Sequence, residues 1–234
     1  MQAIPSRVFH AAVMIVAGAF LTTPTAGAQE VAPISAEAGR NAVYANPELA
    51  ARPVTRAVRA TQPPLIDGRL DEAAWSGAEA LTNFVQQLPN TGFPAHFRTV
   101  VRLLYDANHL YIGAENLDPE PARAITTGLE RDFNSGNSDI FGVVFDTFLD
   151  RRNSFLFLVN PGGAVRDEQT FNDSRTIVEA WEGIISVKTR MTDSSWIAEM
   201  AIPLKSIRFD GRRASQDWGM NFIRRVRRAP ETSY

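Results

Sequence analysis

Between Ser138 and Glu168 the chain carries two apolar runs rich in Val and Phe, parted by a short polar link centred on Asp150–Asn153. That is the pattern of a β-hairpin. In the first run Ile140 and Val144 fall on one side, and Phe141, Val143 and Phe145 on the other. Apolar side chains on both faces mark strands covered on both sides, so this pair is expected at the centre of a β-sandwich.

Other segments fit strands around that centre. Thr99–Tyr105, the turn Asp106–His109 and Leu110–Glu115 read as a second hairpin. Gly183–Met191 and Ser195–Ile202 flank the tight turn Thr192–Ser194. Here Trp196, Ala198, Met200 and Ile202 oppose Ser195, Ile197 and Glu199, which predicts one dry face and one wet face. Trp218–Arg224 is the last strand. Its cluster Arg224, Arg225, Arg227 and Arg228 alternates as charges on an exposed strand edge would. One short helix is expected, with Asp71 and Glu72 accepting its free N–H groups and Trp75 plugging the core. These elements predict an all-β, two-layer antiparallel β-sandwich, jelly-roll-like, with one short N-terminal helix over residues 63–234.

The first part of the chain reads differently. Residues 1–28 hold Arg7, an apolar stretch from Ala11 to Leu21, and Ala26-Gly27-Ala28, the layout of a secretory signal peptide. The apolar stretch is short for a membrane span. Residues 29–62 read as a flexible linker. The expected location is therefore outside the cytoplasm, periplasmic or associated with the outer membrane. The chain contains no cysteine, so burial alone must stabilise an exported domain of this kind. A net charge of -2 excludes the strongly basic face that nucleic acid requires. The chain stops at Glu231–Tyr234 without a closing turn, as the front of a longer polypeptide would.

Candidate chemistry can be weighed against carbohydrate, the ligand class that a resemblance of the chain's motifs to a known family implies. A sugar offers a C–H face that stacks on aromatic rings and hydroxyls that take charge-assisted hydrogen bonds. Trp181 with Glu182 offers a ring beside a carboxylate. Arg131 and Asp132, within Glu130–Asn134, and Asp167, within Arg166–Glu168, offer the polar groups. Asp139 and Asp167 are expected near the same end of adjacent strands, with Arg131 and Asp132 close by. The same residues would equally serve as an internal ion-pair network tying loops together. Glycoside hydrolysis needs two carboxylates across the scissile bond. Many pairs can be drawn among Asp132, Asp139, Asp146, Asp167 and Glu168, and spacing selects none. Calcium suits the oxygen-rich sets Asp132, Asn137 and Asp139, or Asn172 and Asp173. His10, His96 and His109 are isolated, so the sequence offers no zinc cluster.

Several ordered motifs resemble the family 9 carbohydrate-binding modules. They are Ile66-Asp67-Gly68-Arg69-Leu70-Asp71-Glu72 with Trp75, Leu104-Tyr105-Asp106 with Leu110–Gly113, Arg131-Asp132, Ser138-Asp139, Asp146 and Asn160-Pro161 with Gly163. Trp196, Glu199, Ala201-Ile202-Pro203 and Trp218-Gly219 with Asn221, Phe222 and Arg224 complete the series. The similarity spans residues 63–234. It is greatest with a subgroup in which such a domain precedes an outer-membrane-type β-barrel region. The resemblance implies a non-catalytic sandwich that binds oligo- or polysaccharide in carbohydrate catabolism, with calcium in some members. It also implies two rings clamping the sugar, and Trp181 matches one of them. The alternative it leaves is a docking sandwich that has lost sugar binding and packs against a barrel region or a partner chain.

Overall fold

The computed structural model describes residues 53–234 and, ahead of them, Ala12–Met14. The signal expected over 1–28 otherwise lies outside the described residues, as does most of the linker expected over 29–62. Ala12–Met14 forms β1, antiparallel to Asp217–Gly219.

Alternating apolar residues build two sheets. The first contains β3 (Gln86–Leu88), β6 (Ile140–Asp146), β7 (Ser154–Val159), β8 (Val165–Phe171), β9 (Thr176–Val178), β12 (Asp217–Val226) and β13 (Glu231–Ser233). Its order is β3-β13-β12-β6-β7-β8-β9, with β1 beside β12. The second contains β2 (Val58–Arg59), β4 (Thr99–Tyr105), β5 (His109–Leu117), β10 (Ser186–Met191) and β11 (Ser195–Pro203), in the order β10-β11-β5-β4-β2. The β2–β4 pair is parallel and the long neighbours are antiparallel. The only α-helix among the described residues is the single turn α1 (Ala73–Ser76).

The inner faces meet in one core. Phe141, Val143 and Phe145 of β6 and Phe155, Phe157 and Val159 of β7 pack with Ile112, Ala114, Trp196 and Met200 of the other sheet. On the outer face of the same hairpin Ile140 and Leu158 pack with Phe133 and Ala164. Strands β12 and β7 flank β6. The doubly apolar hairpin thus stands mid-sheet because the loop carrying Phe133 covers its outer side.

Three expectations are corrected. The face of β11 expected to be wet is covered, and Ser195 and Glu199 are fully buried. The N-terminal segment lies across it, packing Trp75, Leu70, Ile66 and Ala60 against Leu104, Tyr111 and Ala201. Gly113 permits this. A Cβ there would lie 2.6 Å from Leu70 Cδ2 and 3.0 Å from Trp75 Cζ3, so no side chain fits under the cover. Second, Glu72 does not cap the helix with its side chain; its Oε1 accepts from Leu65 N at 2.9 Å. Third, the arginine-rich strand is not an edge. β12 runs between β13 and β6, and Arg224 faces the core row of Phe141, fully buried. In addition, β2 falls in the stretch read as linker, where Thr55, Ala57 and Ala60 are buried.

Candidate functional site

Asp167 stands on β8 opposite Phe157 of β7 and so shares the inner face. At this margin the face is closed by the segment that carries Trp181 and Ile185, both packed against the main core. A carboxylate placed there needs partners, since an unpaired buried charge is costly. It has two. Asp167 Oδ1 accepts from Arg131 Nη2 at 2.6 Å, and Oδ2 accepts from the backbone N–H of Gly183 through a short bond. Arg131 Nη2 also donates to Gly183 O at 2.9 Å. The guanidinium, the carboxylate and one peptide unit form a closed clamp. Burial pushes the Asp167 carboxyl up from its ordinary value, opposed by the Gly183 N–H and by Arg131, while the charge of Asp132 pushes it further up.

The clamp positions the indole. Trp181 is partly exposed, with its ring 5.2 Å from that of Phe155 and 5.6 Å from that of Phe157. Gly183 passes directly beneath it. A Cβ on Gly183 would lie 2.7 Å from Trp181 Cη2 and 2.7 Å from Phe157 Cε1. Asp132 is exposed next to Arg131 in a left-handed conformation, φ 59°, held by its N–H bond to Val165 O at 2.9 Å.

Four of the five predicted site residues therefore gather: Trp181, Arg131, Asp132 and Asp167. The fifth, Asp139, does not. β7 lies between β6 and β8, so Asp139 and Asp167 are not on adjacent strands. Asp139 is buried instead beside Arg224, and its Oδ1 accepts from Arg227 N at 2.7 Å. Both oxygens of Asp167 are already engaged. The residue sequence reasoning missed is Gly183, whose signal was a glycine two places after the exposed ring, where only a residue without Cβ passes under an indole. Arg166 and Glu168 lie on the opposite face of β8, paired with each other, and Arg166 also pairs with Glu179.

The calcium expectation also meets the geometry. Among the described residues no three His, Asp or Glu side chains converge as cation ligands. Asp132 sits by Asp167, Asp139 by Arg224, and Asn172 and Asp173 in the exposed turn between β8 and β9.

A second concavity opens beside the turn between β4 and β5. It has a volume of about 370 Å³ and is lined by Leu103, Tyr105, Leu110, Phe209, Trp218 and Met220, among others. Its lining is mostly apolar, and Asp106 and Gln216 among its polar residues are engaged. Asp106 accepts from Asn108 N, His109 N and Tyr111 Oη, and Gln216 donates to Asp210 O and Arg213 O. Hydroxyl recognition needs free polar groups, and this mostly apolar lining offers few of them.

Comparison with known proteins agrees with this architecture. A family model described as "Carbohydrate family 9 binding domain-like" matches residues 66–225. No curated protein matches the chain. Among solved structures, a family 9 carbohydrate-binding module from Caldicellulosiruptor kristjanssonii in complex with cellotriose is 18% identical, with a TM-score of 0.51 over 76% of this chain and 80% of that one. The same module in complex with glucose gives 18% identity and a TM-score of 0.51, covering 76% of this chain and 84% of that one. A putative carbohydrate-binding protein from Bacteroides uniformis is 12% identical, with a TM-score of 0.58 over 77% of this chain and 87% of that one. At these identities the structural likeness shows a shared sandwich fold.

Proposed function

Because the chain belongs to the family of carbohydrate family 9 binding-like domains, we propose that it binds oligo- or polysaccharide, without converting it, at the surface formed by Trp181, Arg131 and Asp132. One observation carries this reading: the Arg131–Asp167–Gly183 clamp fixes a cation beside a partly exposed indole. Nη2 of Arg131 serves Asp167 and Gly183. Nε and Nη1 make no bond within the described residues and remain for hydroxyls. The indole supplies the stacking plane, and the clamp orders the arginine before ligand arrives, which lowers the entropic cost of binding. Asp167 is a positioning group here, because both its oxygens are spent inside the protein.

The cellotriose and glucose complexes of the Caldicellulosiruptor module make neutral β-glucan oligosaccharides the first ligands to try. A single ring with a few hydrogen bonds supports a Kd on the order of 0.1 mM, about 5.5 kcal/mol. Calorimetric titration of the chain with cellotriose and a panel of neutral and acidic oligosaccharides tests the proposal. Saturable heat that vanishes in Trp181→Ala supports it; no heat with any member of the panel counts against it.

A second reading has its own observation. Trp181 spends part of its ring on Phe155 and Phe157, as a structural side chain would. On that reading the domain is a docking sandwich that packs against a barrel region or partner chain, and Trp181→Ala lowers stability with no sugar effect to lose. Export, to the periplasm or the outer membrane, belongs to the proposal and rests on the leader-like sequence of residues 1–28.

A further inference from the structure

Six interior side chains keep polar atoms with no partner among the described residues, and they share one place. Thr99 of β4, Asn116 of β5 and Trp196 of β11 form a row across three neighbouring strands, on the face that carries Ala114 and Ala198 into the core. Facing them, Arg224 of β12 lies over the Trp196 ring, 5.0 Å from guanidinium carbon to ring centre, with Ser233 of β13 as its strand partner. Asp139 adjoins this group, its charge acting on Arg224. All six residues are 0% exposed. The unpartnered atoms are Thr99 Oγ1, both amide atoms of Asn116, Asp139 Oδ2, Trp196 Nε1, Arg224 Nε and Nη2, and Ser233 Oγ.

Left bare, that many buried groups would cost about as much as a domain's entire net stability. We propose that this end of the sandwich encloses an ordered water cluster that joins Asp139 Oδ2, the Asn116 amide and the Arg224 guanidinium across the gap between the two sheets.

Charge selects water over an ion. Arg228 is already paired with Asp118, and Glu231 accepts from the backbone N–H groups of His96 and Phe97. Arg224 and Asp139 are left, one cation and one anion. An anion would add to the three carboxylates Asp118, Asp139 and Glu231, which outnumber Arg224 and Arg228. A cation would meet the buried guanidinium. Burial lowers the Arg224 pKa to about 10, so the group is charged at neutral pH and needs acceptors. The unpartnered set mixes donors and acceptors, and water serves both while making two to four bonds per molecule. The cluster also explains why a strand in mid-sheet carries an inward arginine. Arg224 stacks on the indole of one sheet and is hydrogen-bonded through water to the margin of the other.

A high-resolution crystal structure of the chain, with water-oxygen magnetic relaxation dispersion in solution, tests this. The expected result is ordered waters within hydrogen-bonding distance of Asp139, Asn116 and Arg224, and a slow relaxation component that Asn116→Leu diminishes. Ser233→Ala is the milder variant if the leucine does not fold, and it should remove part of the same component. Density for an ion, direct side-chain contacts with no water between them, or a relaxation profile unchanged by the folded variants overturns the proposal.

Discussion

Glu199 gives the sharpest test of how the N-terminal motif is held. It projects from mid-β11 onto the outer face, opposite Gly113, and is fully buried. Its Oε2 accepts from Asp67 N and from Gly68 N, each at 2.9 Å. Gly68 has φ +84°, so the turn requires glycine, and the carboxyl holds that turn on the sheet. Oε1 has no partner among the described residues. Burial outweighs the two N–H bonds and, with the charges of Glu72 and Asp67, pushes the carboxyl from 4.5 up to about 7. The folded state therefore binds this proton more tightly than the unfolded chain does. The stabilisation is complete below pH 4.5 and is lost as pH rises to about 7. The full difference corresponds to about 3 kcal/mol. Glu199→Gln keeps an oxygen for both N–H groups and removes the titration. Urea unfolding at pH 5 and pH 8, a window that captures about 2.5 kcal/mol of this, should show the wild-type midpoint falling by about 1.2 M more than that of the variant, taking a slope of about 2 kcal/mol/M. Glu199→Ala leaves both N–H groups without an acceptor and should lose about 2–4 kcal/mol at pH 5, and less at pH 8, where the ionised wild-type carboxylate is itself destabilising. Equal pH dependence in wild type and Glu199→Gln, or a glutamine variant less stable than wild type at pH 8, would refute the reasoning.

Other expectations follow from close packing and from the clamp. Gly113→Val sets methyl groups against Leu70 and Trp75, which approach even a bare Cβ to 2.6 and 3.0 Å; it should lose about 1–3 kcal/mol in denaturant unfolding and expose the Trp75 indole to a soluble quencher. Gly183→Ala displaces the Trp181 ring from above it, so tryptophan emission should shift and sugar heats fall while the far-UV spectrum stays that of a β-protein. Arg131→Met leaves the buried Asp167 with only the Gly183 N–H. About 2 kcal/mol of stability should go at neutral pH, less than for a wholly buried pair because Arg131 is 38% exposed. That deficit should shrink as pH falls through the carboxylate range, since only the ionised form needs the guanidinium.

Much of the architecture was legible because burial wrote it into residue alternation. Phe141, Val143 and Phe145 against Ile140 and Val144 announce a strand covered twice, and β4 begins and ends where its apolar residues do. Glu199 misled for a physical reason. A polar residue on the alternate face of β11 implies solvent unless another segment supplies partners, and those partners are backbone groups more than a hundred residues earlier. Arg224 misled in the same way, since alternation separates faces but does not say which face meets the other sheet. At the site, Trp181, Arg131 and Asp167 were legible as chemistry. Their convergence depends on Gly183, and the exclusion of Asp139 depends on strand order, which hairpin patterns alone do not fix.

The most direct measurement is a two-dimensional amide and indole NMR titration of the chain with cellotriose. Saturable shifts should concentrate on the Trp181 indole N–H, the Gly183 amide and the Arg131–Asp132 amides. Shifts confined to Tyr105, Phe209 and Trp218 at the second cavity, or no shifts with any oligosaccharide of the panel, would contradict the binding surface proposed for this domain.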